Sequence, residues 1–132
     1  MSYESSIKKI ASNEYDNIQA LNGLWSNIDS IYLFLSQYGD LTDFNFKKKV
    51  FFNVLEYSMN KHWLKLAKEG KFLSGSIDEQ VSLFRDAFPK SEIDNMEQDP
   101  IFFEAWFFSD ACPAGAVWVY NLDNAETHYE WT

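Results

Sequence analysis

IFFEAWFFSDACPAGAVWVYN, residues 101–121, consists of two apolar, aromatic-rich runs separated by a short turn-like segment. Aromatic and β-branched residues in such short, continuous runs favour strands over an amphipathic helix. Pro113 fixes φ near the value that a turn needs, and Gly115 tolerates positive φ. The stretch therefore predicts a β-hairpin in which residues 102–108 pair with residues 116–120.

Both faces of this predicted hairpin are largely apolar, because side chains alternate between the two faces of a strand. Helices from the upstream part of the chain would cover one face. The other face is either additional core or a partner-binding surface, and the sequence leaves both alternatives open.

The upstream chain shows helical spacing of its apolar residues. Ser12 and Asn13 are good N-cap types and predict a helix start, and Gly23 predicts a break after it. A second helix is expected over residues 24–38. A long third helix is expected over residues 44–69, capped by Thr42 or Asp43 and closed by Gly70.

Two further elements follow the long helix. Ser76 and Glu79 have the spacing of a capping box and predict a fourth helix, which Pro89 would end. Thr127–Trp131 is predicted to return as a short third strand. The predicted fold class is α+β, with three or four helices packed on a small antiparallel sheet of two or three strands at the C-terminus.

Length and composition indicate one globular domain over residues 1–132, helical over 1–97 and with a β-hairpin region over 101–131. The aromatic share of 18% argues against intrinsic disorder. One cysteine cannot form an intrachain disulfide, and no signal peptide opens the sequence, so a cytoplasmic location is expected. The apolar runs are too short for a membrane span.

The net charge of −9 is unevenly distributed. The eleven Lys and Arg all lie in residues 1–90, where acids balance them, and the excess negative charge lies after residue 90. We expect no nucleic acid or membrane partner and instead a basic protein that docks on the acidic C-terminal third. The predicted partner-binding residues are Glu104, Asp110, Asp123, Glu126 and Glu130. The alternative is that these acids only keep an aromatic-rich segment soluble.

Lysines on the predicted long helix form two groups. Lys61, Lys65 and Lys68 would share one face, for which solvation is favoured over anion binding. The three lysines at residues 47–49 lie in its first turns, where positive charge is mildly unfavourable against the helix dipole. Chance and a docking role both remain open for them.

Residues able to carry catalysis are few. His62 is expected to be partly buried in the long helix, and His128 with Glu130 supplies too few ligands for zinc. Cys112 and His128 could act as nucleophile and base, but acidic surroundings would raise the pKa of Cys112. The sequence contains neither a phosphate-binding glycine loop nor a nucleophile elbow. We therefore expect no enzyme activity, no catalytic or metal-binding residues and no cofactor.

KLAKEGKFLSGSIDEQVSLFRDAFP and, after an acidic connector, WFFSDACPAGAVWVY resemble the bacterial family called domain of unknown function 596. The resemblance extends over residues 14–121. It rests on Trp25, the junction at residues 70–73, Phe88, Pro89, Trp106, Phe107, Cys112, Pro113, Gly115 and Trp118.

The resemblance implies no known activity or cofactor. Small acidic bacterial proteins of this kind are often immunity partners in toxin systems, including contact-dependent growth inhibition. The leading hypothesis is therefore an immunity protein that neutralises a basic toxin, for example a nuclease, by direct contact. The alternatives are a homo-oligomeric structural or interaction protein and a small enzyme that uses Cys112 or a histidine.

Overall fold

A computed structural model describes residues 2–90, 105–122 and 124–132. Its helices are α1 (Tyr3–Asp16), α2 (Leu21–Ser30), a 3-10 helix (Leu33–Gln37), α3 (Phe44–Asn60) and α4 (Ile77–Ala87). Its strands are β1 (Leu64–Lys68), β2 (Lys71–Phe72), β3 (Gly115–Asn121) and β4 (Thr127–Trp131). The predicted α+β class is confirmed, but the described sheet has four strands instead of two or three, and two of them precede α4 instead of lying at the C-terminus.

The sheet is antiparallel with strand order β2-β1-β3-β4. Leu64 of β1 lies opposite Trp118 of β3, and Val117 of β3 lies opposite Trp131 of β4. The predicted pairing of residues 102–108 with 116–120 is therefore wrong, because β1 and β4 take the two sides of β3. Residues 105 and 106 are helical, and residues 101–104 lie outside the described part of the chain.

The predicted long helix is two different elements. α3 ends at Asn60, and His62 adopts a left-handed backbone conformation with φ 62°. The chain then enters β1, where Leu64 and Leu66 are buried and Lys65 is exposed. His62 is exposed rather than partly buried. β1 has only five residues. Its alternation of apolar and polar side chains is too short to be distinguished in the sequence from the apolar spacing of a helix.

β1 and β2 form a tight hairpin with a two-residue loop. Its central residues, Glu69 and Gly70, have φ of 53° and 79°, as a type I′ turn requires. Gly70 therefore supplies left-handed backbone to a hairpin and does not close a helix. Residues 64–72 correct the prediction that residues 1–97 are helical.

The first two helices also differ from expectation. α1 begins at Tyr3, with the Ser2 hydroxyl accepting a hydrogen bond from the Ser5 amide at 3.1 Å, so Ser12 and Asn13 lie inside the helix. α2 includes Gly23 and ends at Ser30, where the Asn27 carbonyl accepts bonds from two successive amides. The predicted helix over residues 24–38 was too long because a 3-10 helix follows this end.

The N-terminal caps of α3 and α4 were predicted correctly. Asp43 caps α3 by accepting a bond from the Phe46 amide at 3.2 Å. Ser76 and Glu79 form a reciprocal capping box at the start of α4, and the chain is extended at Phe88, just before Pro89. Capping residues act through contacts within one turn, which makes them readable without knowledge of the tertiary fold.

The core lies between the helices and one face of the sheet. Trp118 of β3 is completely buried, and its indole nitrogen donates to the Gln19 carbonyl at 2.7 Å. The Tyr15 hydroxyl donates to the Val119 carbonyl at 2.6 Å, which ties α1 to the same strand. No helix in the described ranges is long and apolar enough to cross a bilayer.

Glu14 is a buried acid whose carboxylate is hydrogen-bonded by uncharged side chains. Its side chain is 1% exposed, and its carboxylate accepts hydrogen bonds from the Tyr32 hydroxyl at 2.9 Å and the Asn27 amide at 3.1 Å. The Tyr32 oxygen in turn accepts a bond from Asn13. Burial raises the pKa of Glu14 above its usual 4.5, and the two hydrogen bonds offset part of this effect.

Glu14→Gln is expected to flatten the decline in stability between acidic and neutral pH. The pKa of Glu14 is higher in the folded chain, so its contribution is fully present below the unfolded value of 4.5 and is lost as pH rises through the folded value. Thermal unfolding across this pH range would measure the slope. Glu4→Gln, at a side chain 82% exposed, is the control that should leave the slope unchanged. Identical slopes in both variants would contradict the assignment.

A candidate binding surface on the open face of the sheet

The two faces of the sheet have different surroundings. Leu64, Leu66, Ala116 and Trp118 belong to the helix-packed core. Because paired residues share a face and neighbours alternate, the opposite face carries Phe72 of β2, Lys65 of β1 and two aromatic residues of β4. We call Phe72, Tyr129 and Trp131 the aromatic face; their exposed fractions are 41%, 37% and 50%.

The aromatic face is assembled from both edges of the sheet. The Phe72 ring stacks on Trp131 with centroids 5.3 Å apart and an interplanar angle of 20°, and it contacts Tyr129 at 5.3 Å. β2 and β4 are the two outer strands, so these rings meet over the central strands. Val117 in β3 is 1% exposed beneath this layer. The rings thus shield the middle of the sheet while keeping much of their own surface in water.

Large, exposed and clustered aromatic side chains are typical of interaction surfaces. Tyr and Trp bury much apolar area at little cost in conformational entropy, which makes them frequent anchors in protein interfaces. The Lys65 ammonium lies 5.1 Å from the Phe72 ring centroid and places a charged group beside the aromatic rings. The arrangement is suited to recognising a partner surface.

The predicted partner-binding acids do not form one cluster. Glu104 and Asp123 lie outside the described residues. Asp110 is exposed before β3, and Glu126 is exposed in the β3–β4 turn, so the length of β3, about 20 Å, separates them. Glu130 lies on β4 opposite Trp118, and its carboxylate is 2.6 Å from His128.

β1 brings positive charge to the same sheet. Lys65 and Lys68 lie on β1 and Lys71 on β2. The Lys68 ammonium donates to the backbone carbonyls of Asp110 at 3.0 Å and Cys112 at 2.7 Å. The excess acidity of the C-terminal third is therefore partly balanced on the β1–β2 side. Among the described residues of the sheet, the acidic side is the β3–β4 hairpin.

Sequence reasoning missed the aromatic face as a site. Tyr129 and Trp131 were placed in a strand, and their spacing of two already put them on one face. Phe72 lies between the predicted third and fourth helices, outside every strand that the sequence predicts, because the sequence pattern does not reveal β1 and β2. The pair Glu69–Gly70 next to an alternating segment was the available signal for that hairpin.

β4 also presents an open edge. It pairs with β3 on one side, and in the described part of the sheet no strand pairs with its other side. An unpaired edge can accept hydrogen bonds from another chain. The aromatic face and this edge are adjacent, since both include β4.

The surroundings of Cys112 disfavour its reactive thiolate form. The thiol is buried, and its sulfur lies 3.3 Å from the Ala114 carbonyl oxygen, to which it donates. Burial raises the pKa of Cys112; the Ala114 bond and the charge of Lys68 lower it in part. The cause of the raised pKa is burial rather than the acidic surroundings expected from sequence. Such a thiol is a poor nucleophile at neutral pH.

Within residues 2–90, 105–122 and 124–132, no group of three or more His, Cys, Asp or Glu side chains could hold a metal ion. The His128 Nε2 atom lies 2.6 Å from the Glu130 carboxylate.

The fold and this surface define a small α+β protein with one side of its sheet covered by helices and the other side aromatic and open. The chain belongs to the family described as "Protein of unknown function, DUF596", which matches residues 59–132. The resemblance predicted from sequence is confirmed. The matched residues include all four described strands and α4, and thus the whole aromatic face.

A solved structure has the same fold. It is an uncharacterised protein conserved in bacteria, from Neisseria meningitidis, with a TM-score of 0.73 and 22% sequence identity. The similarity covers 96% of this chain and 88% of that chain. No curated protein matches the sequence significantly.

Proposed function

We propose that this chain is a binding protein that docks a basic protein partner on the aromatic face, and that its role is immunity against a toxin. The observation that carries the proposal is the half-exposed stack of Phe72 and Trp131 on the open side of the sheet. Burial of these rings by a partner would remove apolar surface from water in one compact patch.

Charge supports a basic partner. The chain carries a net charge of −9, so a protein of opposite sign would be attracted over long range. On the sheet, Glu126 is exposed in the β3–β4 turn, and Lys65 lies over β1 on the same face as the rings. Glu130 lies opposite Trp118 and therefore on the other face of β4. The basic groups of the partner are expected beside the β3–β4 turn, with its apolar groups over the rings.

A toxin that cleaves nucleic acid fits this description. Enzymes that bind nucleic acid need basic surfaces to contact phosphates. An acidic protein that covers such a surface blocks the substrate by occupying its site, without any chemistry of its own. Such a role places this chain in the cytoplasm, where it would meet the toxin.

The test is binding to the product of the gene directly upstream, if that gene encodes a basic domain. Phe72→Ser and Trp131→Ser are expected to weaken binding by roughly thirty-fold each, as loss of an interface anchor does. Glu126→Lys with Glu130→Lys is expected to slow association by about ten-fold at low salt and by less at high salt. Surface plasmon resonance at several salt concentrations would measure both effects.

Matched controls are available on the helices. Leu33→Ser and Leu83→Ser remove apolar side chains that are 60% and 53% exposed. Glu4→Lys with Asp86→Lys reverses two exposed acids of α1 and α4. These variants should bind nearly as the parent chain does. Equal losses in the controls and in the sheet variants would refute docking on the aromatic face.

Self-association is the second candidate. It is favoured by the open edge of β4 beside the aromatic face, since two copies could pair these edges and bury their rings together. Sedimentation of the purified chain over a range of concentrations separates the two candidates. A dimer that Trp131→Ser dissociates would favour self-association over an external partner.

A further inference from the structure

A basic cavity lies between α3 and α4, on elements that the aromatic face does not use. Its volume is about 280 Å³. The lining residues are Asn45, Lys48, Lys49, Phe52, Asn53 and Arg85. Three of these side chains are cationic, in a protein whose net charge is −9. The charge of this cavity is therefore opposite in sign to the net charge of the chain.

The three consecutive lysines of α3 have different surroundings. Lys47 is buried, lies 3.3 Å from the Asp29 carboxylate and sits 4.4 Å above the Trp25 ring, so packing accounts for it. Lys48 and Lys49 line the cavity and are less buried than Lys47, although their ammonium groups also lie 5.6 Å from the Phe88 and 5.0 Å from the Tyr3 ring centroid. The structure thus separates one structural lysine from two that line a concave surface.

Arg85 enters the cavity from α4. One of its terminal nitrogens donates to the Glu56 carboxylate at 2.7 Å, and its guanidinium lies 5.0 Å from the Phe52 ring centroid. A guanidinium has five N–H donors, so the Glu56 contact leaves others for a ligand. The ring and the ion pair hold Arg85 in place, which lowers the entropic cost of using it to bind.

Like charges oppose one another in this cavity. Burial lowers the pKa of Lys48; the charge of Arg85 lowers it further, Asp86 raises it in part, and Lys90 lowers it. Gathering these cations destabilises the charged form of Lys48. A bound anion would reverse that effect, because opposite charge favours the protonated amine.

We propose that the cavity between α3 and α4 binds the phosphate group of a small soluble molecule, held by Lys48, Lys49 and Arg85. Lysine binds phosphate as a point charge and arginine as a planar fork. The side-chain amide of Asn53 donates one N–H to the Tyr3 hydroxyl at 2.6 Å, which leaves its second N–H to donate to a phosphate oxygen. The volume lies near the lower end for small-molecule sites, roughly 300 Å³, and exceeds the needs of a lone phosphate.

The experiment is a titration of the full chain with inorganic pyrophosphate at about 0.1 M salt, where the Debye length is about 10 Å, measured by calorimetry and by amide NMR shifts. Saturable binding is expected, with shifts centred on residues 45–53 and 85. Lys48→Gln with Lys49→Gln should weaken binding by roughly ten-fold or more, since two charge-assisted hydrogen bonds are lost. Lys48→Arg with Lys49→Arg should retain binding.

Lys61→Gln with Lys71→Gln is the matched control, because it removes two exposed lysines outside the cavity. It should change affinity by less than about two-fold, as expected for remote surface charges in screening salt. An equal loss in this control would overturn the proposal, as would the absence of saturable pyrophosphate binding. Vesicles of phosphatidylcholine with phosphatidic acid test the other source of phosphate. Vesicle binding without pyrophosphate binding would also overturn it.

Discussion

Trp118→Ala is expected to lower the free energy of unfolding by about 3–5 kcal/mol, the range for losing a buried aromatic side chain. Trp118 is completely buried in β3, lies opposite Leu64 of β1 and contacts the Tyr15 ring at 5.8 Å. Its removal would leave a cavity where helices meet the sheet. It would also leave the Gln19 carbonyl without the indole donor that bonds to it at 2.7 Å.

Urea unfolding followed by circular dichroism would measure this effect. Trp131→Ala is the control, because Trp131 lies on the other face of the sheet and is 50% exposed. Its loss should cost clearly less, about 1 kcal/mol, since a half-exposed ring buries less area on folding. A larger loss for Trp131 than for Trp118 would mean that the two faces of the sheet have been assigned the wrong way round.

Phe51→Ala is expected to cost a similar amount, about 3–5 kcal/mol. Phe51 of α3 is completely buried and joins the helices to the segment before β3. Its ring centroid lies 5.8 Å from Trp25, 5.5 Å from Phe88 and 6.0 Å from Phe107. Loss of one ring removes several aromatic contacts at once.

The matched control comes from the same aromatic-rich run that contains Phe107. Phe108 is 76% exposed, so Phe108→Ala should change stability by less than about 0.5 kcal/mol. Chemical denaturation of both variants would compare them directly. If Phe108→Ala proved as destabilising as Phe51→Ala, the described packing of residues 105–112 would be wrong.

The aromatic run shows why the hairpin prediction failed. Phe107 and Trp106 are apolar enough for a strand, but Trp106 packs edge-on against Phe84 of α4 and Phe88 just after it, at 5.9 and 5.2 Å. Aromatic side chains are removed from water as well by packing against a helix as by packing in a sheet. β propensity measures how well side chains fit their surroundings more than any backbone preference.

The partner of β3 could not be read from sequence for a related reason. β1 follows α3 after three residues, and Leu64 and Leu66 continue an apolar spacing that a helix also tolerates. Pairing of β1 with β3 joins residues some fifty positions apart, and no local signal encodes it. Capping of α3 and α4 was predictable because Asp43 and Ser76 act on amides three residues away.

The sequence shows where charges lie along the chain but not which of them are neighbours in the fold. The excess negative charge lies after residue 90 in the sequence, yet in the described sheet β1 and β2 bring Lys65, Lys68 and Lys71 to the side of the β3–β4 hairpin. An electrostatic surface depends on which strands pair, and that choice was not available from composition. The aromatic face was missed for the same reason, since Phe72 meets Trp131 only after four strands are in order.

The central claim is that the open face of the sheet binds the partner. Amide hydrogen exchange of the chain, alone and bound to the upstream gene product, tests it most directly. Binding should slow exchange in β2, β4 and the β3–β4 turn and leave α1, α2 and α3 unchanged, because amides at an interface lose contact with water. Slowed exchange confined to α1, α2 and α3, with the sheet unchanged, would contradict the account.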